Sequence, residues 1–94
     1  MTSKYKVLLT EGAEQDLEAI YDYIAEFDCP ANAAQVLDRL LATAKQLVVM
    51  PERGNYPREL LDLGIKDFRQ VFFKPYRLIY RVMGRDVVVL VIAD

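Results

Sequence analysis

Apolar residues recur along this chain in two rhythms, and the change from one to the other divides it. Ala13, Leu17, Ile20 and Ile24 are spaced four, three and four, which is one stripe of an α-helix. Thr10 stands where its side chain can accept a bond from the free amides of the first turn. Glu11 and Glu14 suit the positive end of that helix. A second helix begins near Cys29-Pro30, proline being pre-set for the first helical position, and Pro51 closes it. Ala34, Leu37, Leu40, Leu41, Ala44, Leu47 and Val48 give it a broad apolar face. So short a connection predicts an antiparallel hairpin. It should pack on a sheet through Leu17, Ile20, Ile24, Leu37, Leu41, Ala44 and Val48.

The rest reads with the period of strands. Lys4–Thr10 precedes the first helix as a strand. Three more follow over roughly Asp67–Phe73, Pro75–Met83 and Asp86–Ala93, with a tight turn at Met83-Gly84-Arg85-Asp86. Pro51–Pro57 is a loop by its turn chemistry, and Arg58–Ile65 reads as a short strand or irregular. Val87–Ile92 shows no polar alternation, which predicts a central strand covered on both sides for much of its length. The fold class is therefore α+β. A single two-layer domain over residues 1–94 has an N-terminal strand and a helical hairpin on one face of a mainly antiparallel sheet of about four strands.

At 94 residues and 53% hydrophobic, the chain supports a real but thin core. It holds no apolar run of the roughly 18–20 residues a membrane span needs. Met-Thr-Ser-Lys-Tyr-Lys lacks the apolar stretch of a secretory signal, so a cytoplasmic location is expected. Cys29 is alone, which excludes an internal disulfide and a cysteine metal site. The net charge of −2 hides an asymmetry, since residues 1–50 hold four bases and eight acids. The acids of the first helix read as a solvated face. The second half is net basic and suits one anionic partner. Direct sequence-specific nucleic-acid binding is not expected.

Candidate chemistry lies in the run from Phe68 to Val82. From Lys66 to Arg85 the chain carries six bases, Lys66, Arg69, Lys74, Arg77, Arg81 and Arg85, against a single acid, Asp67. By strand alternation Arg69, Val71 and Phe73 share one face, as do Arg77, Ile79 and Arg81, while Leu78, Tyr80 and Val82 point the other way. There is no histidine, no glycine-rich phosphate loop and no serine beyond Ser3, so serine-triad and metal chemistry lack their usual residues and no cofactor is implied. The remaining cluster is Arg69, Lys74, Tyr76, Arg77, Tyr80 and Arg81. Such residues can stabilise a phosphate during metal-free RNA cleavage, or pair with carboxylates of a protein. The bland alternative is that these arginines lie over apolar surface or pair with Asp62, Asp67 and Asp86.

The ordered set of residues also resembles a known family. Ala13…Asp16-Leu17…Ile20…Tyr23-Ile24, then Pro51-x-x-Gly54, Glu59-Leu60, Gly64-Ile65…Phe68-Arg69 and Pro75-Tyr76-Arg77-Leu78-Ile79-Tyr80-Arg81-Val82 are similar to the ParE branch of the RelE/ParE toxin superfamily. The resemblance implies a small toxin of a toxin–antitoxin module (a plasmid stabilisation protein), neutralised by a cognate acidic antitoxin. ParE-type members poison DNA gyrase; RelE-type members cut messenger RNA on the ribosome. Arg77 falls where the nucleases keep a catalytic arginine. In the preceding strand, where they carry two lysines two apart, this chain has Arg69 and Val71. The nucleases also use residues of a C-terminal segment, and the sequence ends at Asp94, so a C-terminal tail is expected to be missing. These departures favour ParE and no catalytic residues, with the nuclease and a non-toxic binding module as alternatives. The expected antitoxin- or target-binding residues are Arg69, Val71, Phe73, Lys74, Tyr76, Arg77, Ile79 and Arg81, with Tyr21, Tyr23 and Phe27 beside the hairpin.

Overall fold

A computed structural model describes residues 4–94. Ser3 and the start of the N-terminal stretch read above for a leader lie outside the described residues. The elements are β1 (Lys6–Leu9), α1 (Glu11–Phe27), α2 (Pro30–Lys45), a 3-10 turn (Gln46–Val48), α3 (Arg58–Leu61), β2 (Arg69–Phe73), β3 (Tyr76–Met83) and β4 (Asp86–Ala93). The sheet order is β1-β4-β3-β2, with β1 parallel to β4 and the other pairs antiparallel. Leu17, Leu40, Ala44 and Leu47 from the helical layer meet Val71, Leu78, Tyr80, Val87, Val89 and Ile92 from the sheet in one core.

Local chemistry sets the boundaries. The Thr10 hydroxyl accepts from the Ala13 amide at 3.1 Å, the cap its position suggests, and donates to the Leu90 carbonyl at 3.3 Å. Arg58–Ile65 is neither strand nor irregular throughout: it contains one helical turn, α3. Gly64, at φ +77°, ends that turn, and the Ile65 amide returns to the Leu60 carbonyl at 2.9 Å. A left-handed residue closing a helix in this way favours glycine, whose presence here makes the stop legible afterwards.

Two packing expectations are corrected. Leu41 is 41% exposed whereas Leu40 is 1% exposed. Adjacent helical residues point about 100° apart, so only one of them can face the sheet. Leu40, Ala44 and Leu47, spaced four and three, take that side, and Val48 and Ile24 are only half-buried. β4 is central but covered on one face alone, for Val91 is 39% exposed. Its ladder also shifts register: Tyr80 pairs with Val89 but Ile79 with Val91, leaving Leu90 as an extra residue. That bulge turns Ile92, rather than Val91, toward the helices. The half-buried Asp16 carboxylate accepts from the Ile92 amide beyond it at 2.9 Å.

Leu40→Ala should lower unfolding free energy by ~2–5 kcal/mol through lost burial and a cavity. Leu41→Ala should cost well under half as much. Urea titrations of both variants, at unchanged m-value, make the comparison; equal losses would place the two leucines in the same environment and contradict the packing described here.

Candidate functional site

The two sides of the sheet divide the candidate residues. Across the β2–β3 ladder Arg69 lies opposite Tyr80, Val71 opposite Leu78, and Phe73 opposite Tyr76. Directly opposed residues share a face, so Arg69, Val71 and Phe73 belong to the helix-covered side. Arg77, Ile79 and Arg81 belong to the open side, with Phe72 opposite Arg77 and Gln70 opposite Ile79. The arginines therefore do not form one basic face.

On the covered side, Tyr80 is fully buried. Its hydroxyl donates to the Pro51 carbonyl at 2.7 Å and accepts from the Gly54 amide at 3.1 Å. Burial pushes its phenol pKa up, outweighing the opposing Gly54 bond and nearby arginines. Arg69 reaches the same loop, donating to the Gly54 carbonyl at 2.8 Å, the Glu52 carbonyl at 3.3 Å and the Tyr56 hydroxyl at 3.0 Å. Its guanidinium also stacks 4.5 Å from the Tyr56 ring centre. Tyr80 and Arg69 hold a loop rather than presenting reactive groups. Val71 is 8% exposed and Phe73 packs partly buried against the core, so neither offers a free surface.

On the open side, Arg77 donates to the Glu59 carboxylate at 2.7 Å and to the Gln70 side-chain oxygen at 3.0 Å. The bond from the Arg77 guanidinium holds the Glu59 carboxyl below the ordinary carboxylate range. The acid that pairs with Arg77 is thus Glu59, brought by α3, and none of Asp62, Asp67 and Asp86. Neither Glu59 nor Gln70 carried a signal in the sequence that tied it to Arg77. Arg81 is exposed, its guanidinium 5.9 Å from the Phe68 ring centre. Lys74 is exposed in the β2–β3 turn, and Tyr76 is half-buried beside it.

A third feature lies at the β1 side of the helical layer. Leu9, Leu17, Tyr21, Leu37 and Leu41 line an apolar groove of about 730 Å³ rimmed by Glu14 and Glu18. A second hollow of about 510 Å³, sharing Leu9 and Leu41, continues past Val7, Asp38 and Lys45. Tyr21 is the one aromatic of the expected trio in this groove. Tyr23 and Phe27 stack on each other, ring centres 4.8 Å apart, and are 65% and 69% exposed. A groove beside the hairpin at Tyr21 was expected, but not its lining by Leu37 and Leu41, which look like core on helical spacing alone.

This arrangement is the fold of known toxin structures. A chain of the chromosomal ParDE TA system from P. aeruginosa matches with a TM-score of 0.80 at 22% identity, over 96% of this chain and 95% of that one. The toxin–antitoxin complex RelBE2 from Mycobacterium tuberculosis matches with a TM-score of 0.71 at 23% identity, over 98% of this chain and 92% of that one. In sequence, Toxin ParE3 of Caulobacter vibrioides is 29% identical over 89 residues, 95% of this chain and 85% of that protein. The family model for the ParE toxin of the type II toxin–antitoxin system, parDE, matches residues 7–93. The chain belongs to that family. It is the toxic component of a type II module, with an antitoxin as its partner.

Tyr80→Phe should cost about 1–3 kcal/mol by leaving the Gly54 amide and Pro51 carbonyl without a partner. The folded phenol has a raised pKa, so its contribution is intact below about pH 10 and is lost as pH rises through the folded value. The gap between wild type and Tyr80→Phe in chemical denaturation should therefore narrow above that pH; a constant gap would contradict the buried-phenol account. Gly54→Ala should also destabilise, by ~1–3 kcal/mol, because a Cβ there would lie 2.5 Å from the Gln70 carbonyl oxygen and 2.7 Å from the Tyr80 hydroxyl.

Proposed function

We propose that this toxin acts in the cytoplasm by gripping a protein target, DNA gyrase, and not by cutting RNA. The observation that carries the reading is the disposition of the basic residues. Arg69 is tied to loop acceptors and Val71 is buried, both on the helix side, so neither strand position that bears a lysine in the nucleases faces Arg77. Around Arg77 stand Gln70, Glu59, Ile79 and Ala93. Glu59, its pKa lowered by the arginine, is a weak base and a poor proton donor near neutral pH. A side-chain fork of this kind is suited to holding a carboxylate. Membership of the ParE family supports gyrase as the target, and no helix among the described residues is long and apolar enough to cross a membrane.

The antitoxin is proposed to cover the groove lined by Leu9, Leu17, Tyr21, Leu37 and Leu41. An open apolar concavity between elements of this size is a natural seat for a segment that orders on binding. Arg77 and Arg81 remain as carboxylate-binding positions on the other side of the sheet. Lys74, Tyr76, Tyr23 and Phe27 lie outside the groove and are assigned to target contact.

Induced expression in bacteria, with and without the antitoxin, should arrest replication and damage DNA while messenger RNA stays whole. Purified toxin should inhibit gyrase, and Arg81→Glu should weaken that inhibition by roughly tenfold or more. Metal-free cleavage of ribosome-bound messenger RNA, lost in Arg77→Ala, would replace this reading with the nuclease.

A further inference from the structure

The side of the sheet away from the helices is apolar along one diagonal. Leu8 on β1 stands opposite Val88 on β4, and Val91 on β4 opposite Ile79 on β3. One row further, Phe72 on β2 stands opposite Arg77. Directly opposed residues share a face, so these five apolar residues form a band across all four strands. Leu8, Val91 and Phe72 are exposed, and Val88 and Ile79 half-buried.

The band has the dimensions of a helix. It crosses three inter-strand gaps of about 4.8 Å and climbs two rows of about 7 Å, so it runs roughly 20 Å. An α-helix of about 13 residues has that length. Arg77 and Arg81 lie two residues either side of Ile79 on β3. Their Cα atoms are thus about 13 Å apart, with the band passing between them. A helix with its side chains is about 10–12 Å across and fills that gap. Because the backbone bonds of a sheet lie in its plane, its face suits an element whose own backbone is already satisfied.

Charge identifies the occupant. Arg77 with Glu59 is the one ion pair among the described residues, and Arg81 on the other flank has none. Lys6 and Asp86 stand opposite each other at the corner of the face and offset. The hollow beside Arg81 holds Lys66 and Arg69 against Glu52 and Asp67, and stays net basic. A second copy laid face to face would set bases against bases and bring no free acid to Arg81. Four of the five band residues are aliphatic and give nucleic-acid bases nothing to stack on.

We infer, resting on the reading of gyrase as the target, that gyrase presents an acidic amphipathic helix to this face. Its apolar stripe lies along the diagonal band. A carboxylate on one flank meets the unpartnered Arg81, and one on the other competes with Glu59 for Arg77.

Val91 is exposed in the middle of the band and lies outside the apolar groove of the helical layer. Val91→Lys and Val91→Glu remove the same apolar contact and add opposite charges. With the full-length toxin and purified gyrase, Val91→Glu should weaken inhibition by roughly a hundredfold and Val91→Lys by roughly tenfold, the difference shrinking at high salt. Urea transitions close to wild type show that both variants fold; Phe72→Lys and Phe72→Glu repeat the comparison on β2 where they do not. Backbone exchange on gyrase in the complex should slow over one run of about 13 residues. Undiminished inhibition by both variants would overturn the docking face while leaving gyrase as the target. Equal losses would overturn the acidic flanks, and slowing scattered over separate loops would overturn the helix. Binding of the toxin to duplex DNA without gyrase, lost in Arg81→Glu, would assign the arginines to phosphate instead. Wild-type toxin that leaves gyrase fully active would remove the gyrase reading itself, on which the inference rests.

Discussion

The buried hydroxyl of Tyr80 is the constraint from which much of this structure follows. A phenol placed in an apolar core must have its hydrogen bonds made for it, since leaving a buried polar group unpaired costs more than a made bond returns. Here the donor goes to Pro51 and the acceptor receives Gly54. Both partners belong to one loop, which is thereby fixed against the end of the sheet. With the loop in place, Asn55 bridges Gln70 at the β2 edge and Arg69 gathers the loop carbonyls. The chain then enters α3 at a defined point, and Glu59 arrives beside Arg77. An ion pair on the open face is thus positioned by a hydrogen bond on the covered one.

The elements themselves were legible because their periods are distinct and their caps conventional. What periodicity does not carry is the relation between neighbouring strands. A two-residue turn at Lys74-Pro75 pairs odd positions of β2 with even positions of β3, so Arg69 shares a face with Tyr80 and not with Arg81. The bulge at Leu90 was hidden for a different reason. A run of six apolar residues looks the same with one residue slipped, and only the polar groups reveal the slip. Thr10 takes up the Leu90 carbonyl and Asp16 the Ile92 amide, so α1 is fastened to the irregularity it covers. Asp16 had looked like one more solvated acid on α1.

The candidate site was legible in residue type and illegible in allegiance. Arginine, tyrosine and glutamine are equally able to serve a partner or their own chain, and a sequence does not record which acceptors surround them. Arg69 finds three acceptors in its own loop; Arg77 finds two and keeps a third of its side chain in solvent. The lining of the groove beside the hairpin escaped notice by the opposite route. Leu37 and Leu41 obey helical spacing as core residues do, and only the short, one-sided pairing of β1 leaves the flank of α2 without a strand to cover it.

Charge follows the layers as well as the halves of the chain. The helices carry most of the acids, and the open sheet face carries arginines. A small net charge therefore coexists with fields of opposite sign on opposite sides of a thin molecule. Fields of this kind orient a charged partner before contact and penalise the reversed placement. A partner of uniform charge is attracted to one side and repelled from the other.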